Sequence, residues 1–401
     1  MLSPKSLTAG ALIAALVAIG PLSTDMYLPA FPMLSTAFSA GMDQVQQTLS
    51  IFFIGFAVAQ LLYGPLSDRY GRKPVLLGGL LLFLFSSIAI TFAETIESFT
   101  ALRLLQAIGG SAGPVLGRAM VRDIHGPKES ARVLSYISLA MALTPAAAPI
   151  IGGYMTVWWG WPSIFFFLAA YSLVGILALK LQLPETAPPG NHHVISPKQL
   201  LANYTTLVRH HSWRWYTLAC SFVFAGLFSF LSGSPFVIID FLGYPEEEFG
   251  LFFSIIVAGF MIGTLYGGKQ VRRLGINRLI GIGAVVAAGG GSLMALLAIL
   301  QVHHIAAIIL PHMIYMAGVG IVLPQTIAGA LAPFPTMAGS ASALLGFTQM
   351  SLAALVGIVV GEFHDGSPLV MALSIAIMGL LTLGCYGMIS VKVGGAELEN
   401  R

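Results

Sequence analysis

Two charged residues stand deep inside apolar stretches of this chain. Asp25 lies in Pro21-Leu22-Ser23-Thr24-Asp25-Met26-Tyr27-Leu28-Pro29, and Arg103 in Ala101-Leu102-Arg103-Leu104-Leu105-Gln106. A charge held in hydrocarbon costs at least about 2.5–3.5 kcal/mol, so each needs a reason. A carboxylate in that position offers proton binding. Losing a cation neighbour favours proton uptake by a buried carboxyl, so an Asp whose Arg partner comes and goes acts as a proton switch. A static ion pair joining two helices is the other reading of the same two residues. His312, directly after Pro311, is a second titratable group, although a lone helical histidine is more often a hydrogen-bonded structural residue. Asp240 and Glu246-Glu247-Glu248 read as solvated surface.

The elements that carry these groups follow from composition. Of 401 residues 57% are hydrophobic and 9% charged, with a mean hydropathy of +0.87; an ordinary soluble domain has roughly 25% charged residues. A soluble exterior cannot be built from this chain, and its hydrophobicity excludes disorder. Long apolar runs give twelve candidate spans, beginning near Ser6, Gln46, Pro74, Phe99, Ser130, Pro162, Trp215, Gly250, Arg278, Ile305, Gly339 and Ser367. At about 21 residues each they use about 250 positions, leaving only tails and short loops. The first run contains Asp25 and continues past it, so it reads as a retained span and not a cleaved leader. The net charge of +3 gives no reason to invoke nucleic acid. Cys220 and Cys385 lie in apolar runs and read as buried thiols, and the adjacent His192 and His193 lack metal-ligand spacing. Neither GxxxxGK[ST] nor HExxH occurs. The expectation is a polytopic membrane protein that is not an enzyme, with no metal and no cofactor.

Basic residues set the orientation. With the N-terminus in the cytoplasm, the loops on that side hold Arg69, Arg72, Lys73, Arg122, Lys128, Arg132, Lys198, Arg209, Arg214, Lys269, Arg272, Arg273 and Arg278. The opposite loops hold acids and no Lys or Arg, a strong positive-inside pattern with both termini cytoplasmic. The longest polar stretch, 183–214, reads as a cytoplasmic linker between two six-helix bundles, 1–182 and 215–401. The fold class expected is an all-α polytopic membrane protein with twelve transmembrane helices in two pseudo-symmetric bundles.

Between spans 2 and 3 the chain reads Gly64-Pro65-Leu66-Ser67-Asp68-Arg69-Tyr70-Gly71-Arg72-Lys73-Pro74. Gly64 suits close helix approach and Gly71 a tight turn. Asp68 is placed to receive a helix N-terminus or a guanidinium. A degraded copy lies between spans 8 and 9, where Gly268, Arg272, Arg273 and Gly275 align with Gly64, Asp68, Arg69 and Gly71. This loop resembles the signature G-x-L-a-D-r-x-G-r-k-x of the major facilitator superfamily at Gly64, Leu66, Asp68, Arg69, Gly71, Arg72 and Lys73. Span 4, with Arg103, Gln106 and Gly110, resembles that superfamily's R-x-x-q-G motif. Span 5, Thr144-Pro145-Ala146-Ala147-Ala148-Pro149-Ile150-Ile151-Gly152-Gly153, resembles its antiporter motif at Pro149, Gly152 and Gly153, with Pro145 a turn earlier and Ala148 in place of a glycine.

Pro21 to Pro32, Val121-Arg122-Asp123 and Ser232-Gly233-Ser234-Pro235-Phe236-Val237 resemble the bicyclomycin/chloramphenicol resistance (Bcr/CflA) exporters. The resemblance implies a monomeric drug/H+ antiporter of the bacterial inner membrane, with protons and a small drug-like compound as its partners and the lipid bilayer as its surroundings. An exporter of a metabolite such as an amino acid is the alternative. Asp25 and Arg103 are the expected proton-coupling residues. Gly64, Asp68, Arg69, Gly71, Arg72 and Lys73 are the expected conformational latch, and Pro145, Pro149, Gly152 and Gly153 a moving interface. Tyr27, Gln60, Tyr136, Met141, Phe228, Phe236, Tyr315, Gln325 and Gln349 are candidates for the substrate cavity, combining polarity, aromaticity or polarisability with intramembrane placement.

Overall fold

The computed structural model describes residues 7–186, 197–334, 337–364 and 366–399; side chains are described throughout these except at 7, 122, 125–143, 197–200, 338 and 390–399. The helices are α1 (Leu7–Asp25), α2 (Phe31–Phe38), α3 (Met42–Tyr70), α4 (Arg72–Ile90), α5 (Ile96–Gly110), α6 (Ala112–Trp159), α7 (Pro162–Gln182), α8 (Pro197–Arg209), α9 (His211–Pro235), α10 (Glu246–Ile299), α11 (Ile305–Leu331), α12 (Ala338–Glu362) and α13 (Leu369–Glu399). A 3-10 turn, Leu28–Ala30, joins α1 to α2, and a π-helical stretch, Phe236–Phe241, extends α9. No strand occurs among the described residues.

Nine stretches among the described residues are long and apolar enough to cross a membrane. One is α10, whose 54 residues make about 80 Å of helix at 1.5 Å per residue. Gly275 bends it with φ 73°, so it supplies two crossings of a core about 30 Å thick. By the same arithmetic the run from Ile96 to Trp159, α5 and α6, supplies two more. The twelve expected spans are thereby accounted for.

The boundaries differ in three places. The first span is not one helix: α1 stops at Asp25, and Met26 to Ala30, all buried, pass through the 3-10 turn before α2 begins. Pro29 and Pro32 withhold two helical N–H donors, which accounts for the break. The expected linker is not a bare tether, since residues 197–209 form α8 and α9 already begins at His211. Leu207 of α8 is buried with Trp213 and Tyr216 of α9, which fixes α8 to that helix. Finally, α6 and α10 each run through a boundary expected between spans. His192 and His193 lie outside the described residues.

The chain forms two compact units, Met1–Ser196 with Pro245–Leu251, and Pro197–Tyr244 with Phe252–Arg401. In the first, α1 lies along α6, and α4 packs on α5 and α7. Glycines let α6 come close to α1: a Cβ at Gly113 would overlap the Leu16 carbonyl oxygen, and one at Gly152 that of Met26. In the second unit α9 packs against α11, α12 and α13.

A repeat links the two units in sequence. Gly71 and Gly275, 204 residues apart, both turn the chain at positive φ, 94° and 73°. The same offset relates Gly79 to Gly283. A Cβ at Gly109 would lie 2.5 Å from Phe83 N and 2.6 Å from the Gly79 oxygen; a Cβ at Gly318 would lie 2.5 Å from Ala287 N and 2.6 Å from the Gly283 oxygen. The α4–α5 crossing is thus rebuilt, contact for contact, between α10 and α11. Gly64 does not serve the close approach expected of it. Among the described residues nothing lies within 4 Å of a Cβ built there, or at its counterpart Gly268.

Candidate functional site

Arg103 is fully buried. Its guanidinium carbon lies 4.2 Å from the Tyr27 ring centre, 4.3 Å from that of Phe52 and 5.7 Å from that of Phe165. Aromatic faces are weakly negative, so this cage offsets part of the cost of the buried cation. Nη1 donates to Gln106 Oε1, one turn on in α5. Gln106 Nε2 donates to Ser87 Oγ at 2.8 Å, and Ser87 Oγ donates to the Phe83 carbonyl at 2.7 Å. Thr48 donates its hydroxyl proton to the Val45 carbonyl at 2.6 Å, so the 2.9 Å contact between Tyr27 and Thr48 is donated by Tyr27. Among the described residues the remaining nitrogens of Arg103, Nε and Nη2, make no hydrogen bond within normal geometric limits.

Asp25 ends α1 and is 5% exposed. Its Oδ1 accepts from Thr24 Oγ1 at 2.8 Å. Among the described residues Asp25 and Arg103 form no ion pair. The structure does bring them into one neighbourhood, because Tyr27, two residues after Asp25, is the ring under the guanidinium. The next residue, Met26, offers its carbonyl to the bare face of Gly152 in α6. The antiporter-motif glycine and the buried acid therefore meet at the break between α1 and α2. Gly152 also accepts from Thr156 Oγ1 at 2.8 Å. Pro149 of the same motif is buried and Pro145 half-buried.

The loop between α3 and α4 is a second polar cluster. Arg72 Nη1 contacts Asp68 Oδ1 at 2.5 Å, and Nε donates to Asp123 Oδ2 of α6 at 3.1 Å. Nη1 also donates to Ser67 Oγ at 2.5 Å. Glu185, just after α7, accepts the Arg72 and Lys73 backbone N–H groups at 3.0 and 3.1 Å. A carboxylate at the start of α4 satisfies orphan donors and complements the helix dipole. Lys73 Nζ donates to the Lys180 and Leu183 carbonyls at the end of α7, at 3.1 and 2.5 Å. Arg69 stays outside this cluster, exposed, with its guanidinium 5.1 Å from the Tyr70 ring.

The cavity candidates are divided between the two units. Tyr27 belongs to the Arg103 cage. Tyr315 is buried and donates to the Val223 carbonyl at 2.9 Å. Phe228, Phe236, Gln60 and Gln325 are buried and Gln349 is half-buried. The side chains of Tyr136 and Met141 lie outside those described. Sequence reasoning missed Glu185, Gln106, Ser87, Phe52 and Phe165 as site residues. Gln106 carried a signal, standing one turn from Arg103 in the quoted motif.

The model of the Major Facilitator Superfamily matches residues 13–358. The chain belongs to this superfamily. Among curated relatives, a bicyclomycin resistance protein homolog of Haemophilus influenzae is 31% identical over 375 residues, covering 92% of this chain and 91% of the relative. A chloramphenicol resistance protein of Pseudomonas aeruginosa is 30% identical over 329 residues, covering 81% and 77%. Multidrug resistance protein D of Escherichia coli is 26% identical, covering 92% and 93%. Among solved structures, a D-xylose-proton symporter aligns with a TM-score of 0.74 at 16% identity, over 96% of this chain and 97% of that one. As a superfamily member the chain is a multi-pass membrane transporter, and its twelve spans in two related halves are the superfamily's fold.

Proposed function

We propose that this transporter exports small drug-like compounds across the bacterial cytoplasmic membrane in exchange for protons, by alternating access, as a monomer with both termini in the cytoplasm. The observation that carries this reading is Asp25: a carboxyl buried at a helix break and, among the described residues, without a paired cation, beside an arginine whose Nε and Nη2 make no hydrogen bond to any described residue. A carboxyl in such a place holds a proton at lower cost than a charge. Arg103 supplies the alternative partner. When α1 shifts at its break, Asp25 comes within reach of the open edge of the guanidinium and releases its proton. When the pair parts, the aromatic cage retains the cation and Asp25 is reloaded. Gly152 transmits the shift, since it packs on the carbonyl of the residue after Asp25.

The relatives named for bicyclomycin, chloramphenicol and multidrug resistance support the cargo class. The proton gradient takes the place of any cofactor. At about 150 mV one proton supplies about 3.5 kcal/mol, enough to hold about a 300-fold gradient of a neutral compound. The test uses the purified chain in liposomes under an imposed pH gradient. Adding chloramphenicol is expected to dissipate that gradient, and the same lipid without protein is not. Chloramphenicol movement indifferent to the gradient would falsify the coupling.

A further inference from the structure

Phe230 of α9 and His312 of α11 lie face to face, ring centres 4.0 Å apart and planes 13° from parallel. Tyr315, one turn on, is parallel to the same imidazole within 9° at 5.5 Å. Its hydroxyl bond to Val223 holds it in place, and so does Gly226, where any Cβ would collide with the phenol oxygen. Phe230 in turn meets Phe253 of α10 at 6.3 Å. The imidazole is thus held by ring faces. It is fully buried, yet neither Nδ1 nor Nε2 has a hydrogen-bond partner among the described residues. A neutral imidazole presents one donor and one acceptor in its plane, and leaving both unmade lowers stability. Phenylalanine would fill the stack without that cost, so packing alone does not account for a histidine here.

A second observation points to the same seam. Residue 312 stands opposite 230 and residue 315 opposite 223, so α9 and α11 run antiparallel. Pro235 and Pro311 each deprive a carbonyl one turn earlier of its helical donor. Immediately after Pro235 the chain turns π-helical, a form found mostly at functional sites. Ser234, one turn beyond Phe230 on the same face, is fully buried, and its Oγ also lacks a partner among the described residues. Ser234 lies seven residues before the end of the π stretch and His312 seven after the start of α11, each about 10 Å from its helix end. Irregular backbone and unpartnered polar side chains therefore share one depth in two neighbouring helices. At membrane depth such backbone is tolerated where protein covers it or where it lines a cavity.

We propose that His312 is the hydrogen-bonding anchor of a ligand subsite in the second unit, specific for neutral compounds that carry an amide or hydroxyl group on an apolar body. Phe230 and Tyr315 flank the imidazole, so a ligand meets it edge-on. The ligand's carbonyl or hydroxyl oxygen accepts from the imidazole N–H. Its own N–H or O–H donates to the other ring nitrogen or to Ser234 Oγ. The subsite deepens the export reading and rests on it for the cargo, but the two ring nitrogens, unpartnered among the described residues, are present whatever is carried.

Two measurements test it. The full chain carrying Cys220→Ser, Cys385→Ser and His312→Cys is treated in membranes with N-ethylmaleimide. Labelling of position 312 is expected, and chloramphenicol, which bears both an amide and hydroxyls, is expected to slow it several-fold. No labelling at all overturns the subsite, whichever compounds the chain exports. In the second measurement the purified chain with native cysteines carries His312→Phe. Its chloramphenicol affinity is expected to fall about tenfold, the loss of about one good hydrogen bond. Its affinity for tetraphenylphosphonium, which has no hydrogen-bonding group, is expected to hold, and its melting temperature to hold or rise, since the buried unmade hydrogen bonds are gone. His312→Gln, which keeps a donor and an acceptor, is expected to lose less. If the unaltered chain binds neither compound, the export reading falls while the labelling result still decides the subsite. A folded His312→Phe chain that binds chloramphenicol as tightly as the unaltered protein overturns the proposal.

Discussion

The Arg103 guanidinium sits 4.2 Å above the ring of Tyr27, not on the carboxylate of Asp25 two residues earlier. The cost of the cation is therefore offset by aromatic faces and by Gln106, and that of the acid by the hydroxyl of Thr24. Two charges that suggest an ion pair are held separately, each with capacity left for the other.

Asp25→Asn removes the proton and keeps the shape. The expected result is a chain that inserts and binds drug normally but no longer exports against a gradient. Drug-driven proton release from the purified protein should vanish as well. Undiminished proton-linked export by this variant would remove Asp25 from the mechanism.

Arg103→Lys keeps the charge and loses the planar fork that lies over two rings. Transport is expected to fall to a partial level at most. Tyr27→Leu removes one face of the cage, worth about 0.5–2 kcal/mol, and should lower melting temperature as well as rate. Tyr27→Phe retains the face and should fall between Tyr27→Leu and the unaltered chain. Equal effects of Tyr27→Phe and Tyr27→Leu would show that the hydroxyl bond to Thr48, not the ring, is what matters.

Asp68→Asn and Glu185→Gln address the loop between α3 and α4. Both are expected to slow transport by shifting the balance between inward and outward states, read from inter-helix distances with paired spin labels. Glu185→Gln should also cost about 0.3–1 kcal/mol of stability through the start of α4. A large drop in drug affinity with unchanged distances would place this loop in the binding site instead of a latch.

Gly152→Ala puts a methyl group into the Met26 carbonyl and is expected to block export or prevent assembly. Gly64→Ala, where a Cβ meets no described atom within 4 Å, is its control and should be tolerated. Equal tolerance of the two would mean that the contact of α6 with the break in α1 is not needed.

Much of this was legible in the sequence because charge in hydrocarbon is rare. Asp25, Arg103 and the turn at Gly71 stood out by type and position alone. What spacing could not show is which partner a buried group takes. Arg103 chose rings from α3, α7 and the break after α1, and those rings look like ordinary core residues in one dimension. Glu185 was hidden for a similar reason: it caps a helix more than a hundred positions earlier in the chain. The break after Asp25 did leave a trace in Pro29 and Pro32, but a strongly apolar run masked it. Gly64 misled because a glycine in a signature loop invites a packing role that the fold gives to Gly79 and Gly109.

Where Gly79 crosses Gly109, and Gly283 crosses Gly318, backbone meets backbone: a Cβ at Gly109 or Gly318 would strike main-chain N and O atoms of the facing helix. Side chains act as bearings between helices, because they change rotamer while the axes slide. A joint without them has one seating, and displacing it means forcing amide groups past each other. The α4–α5 and α10–α11 pairs are therefore struts that travel as wholes. Met26 is seated on Gly152 in the same main-chain manner, so in the proposed cycle the break in α1 moves together with α6, and deformation is left to interrupted backbone such as α9 beyond Pro235.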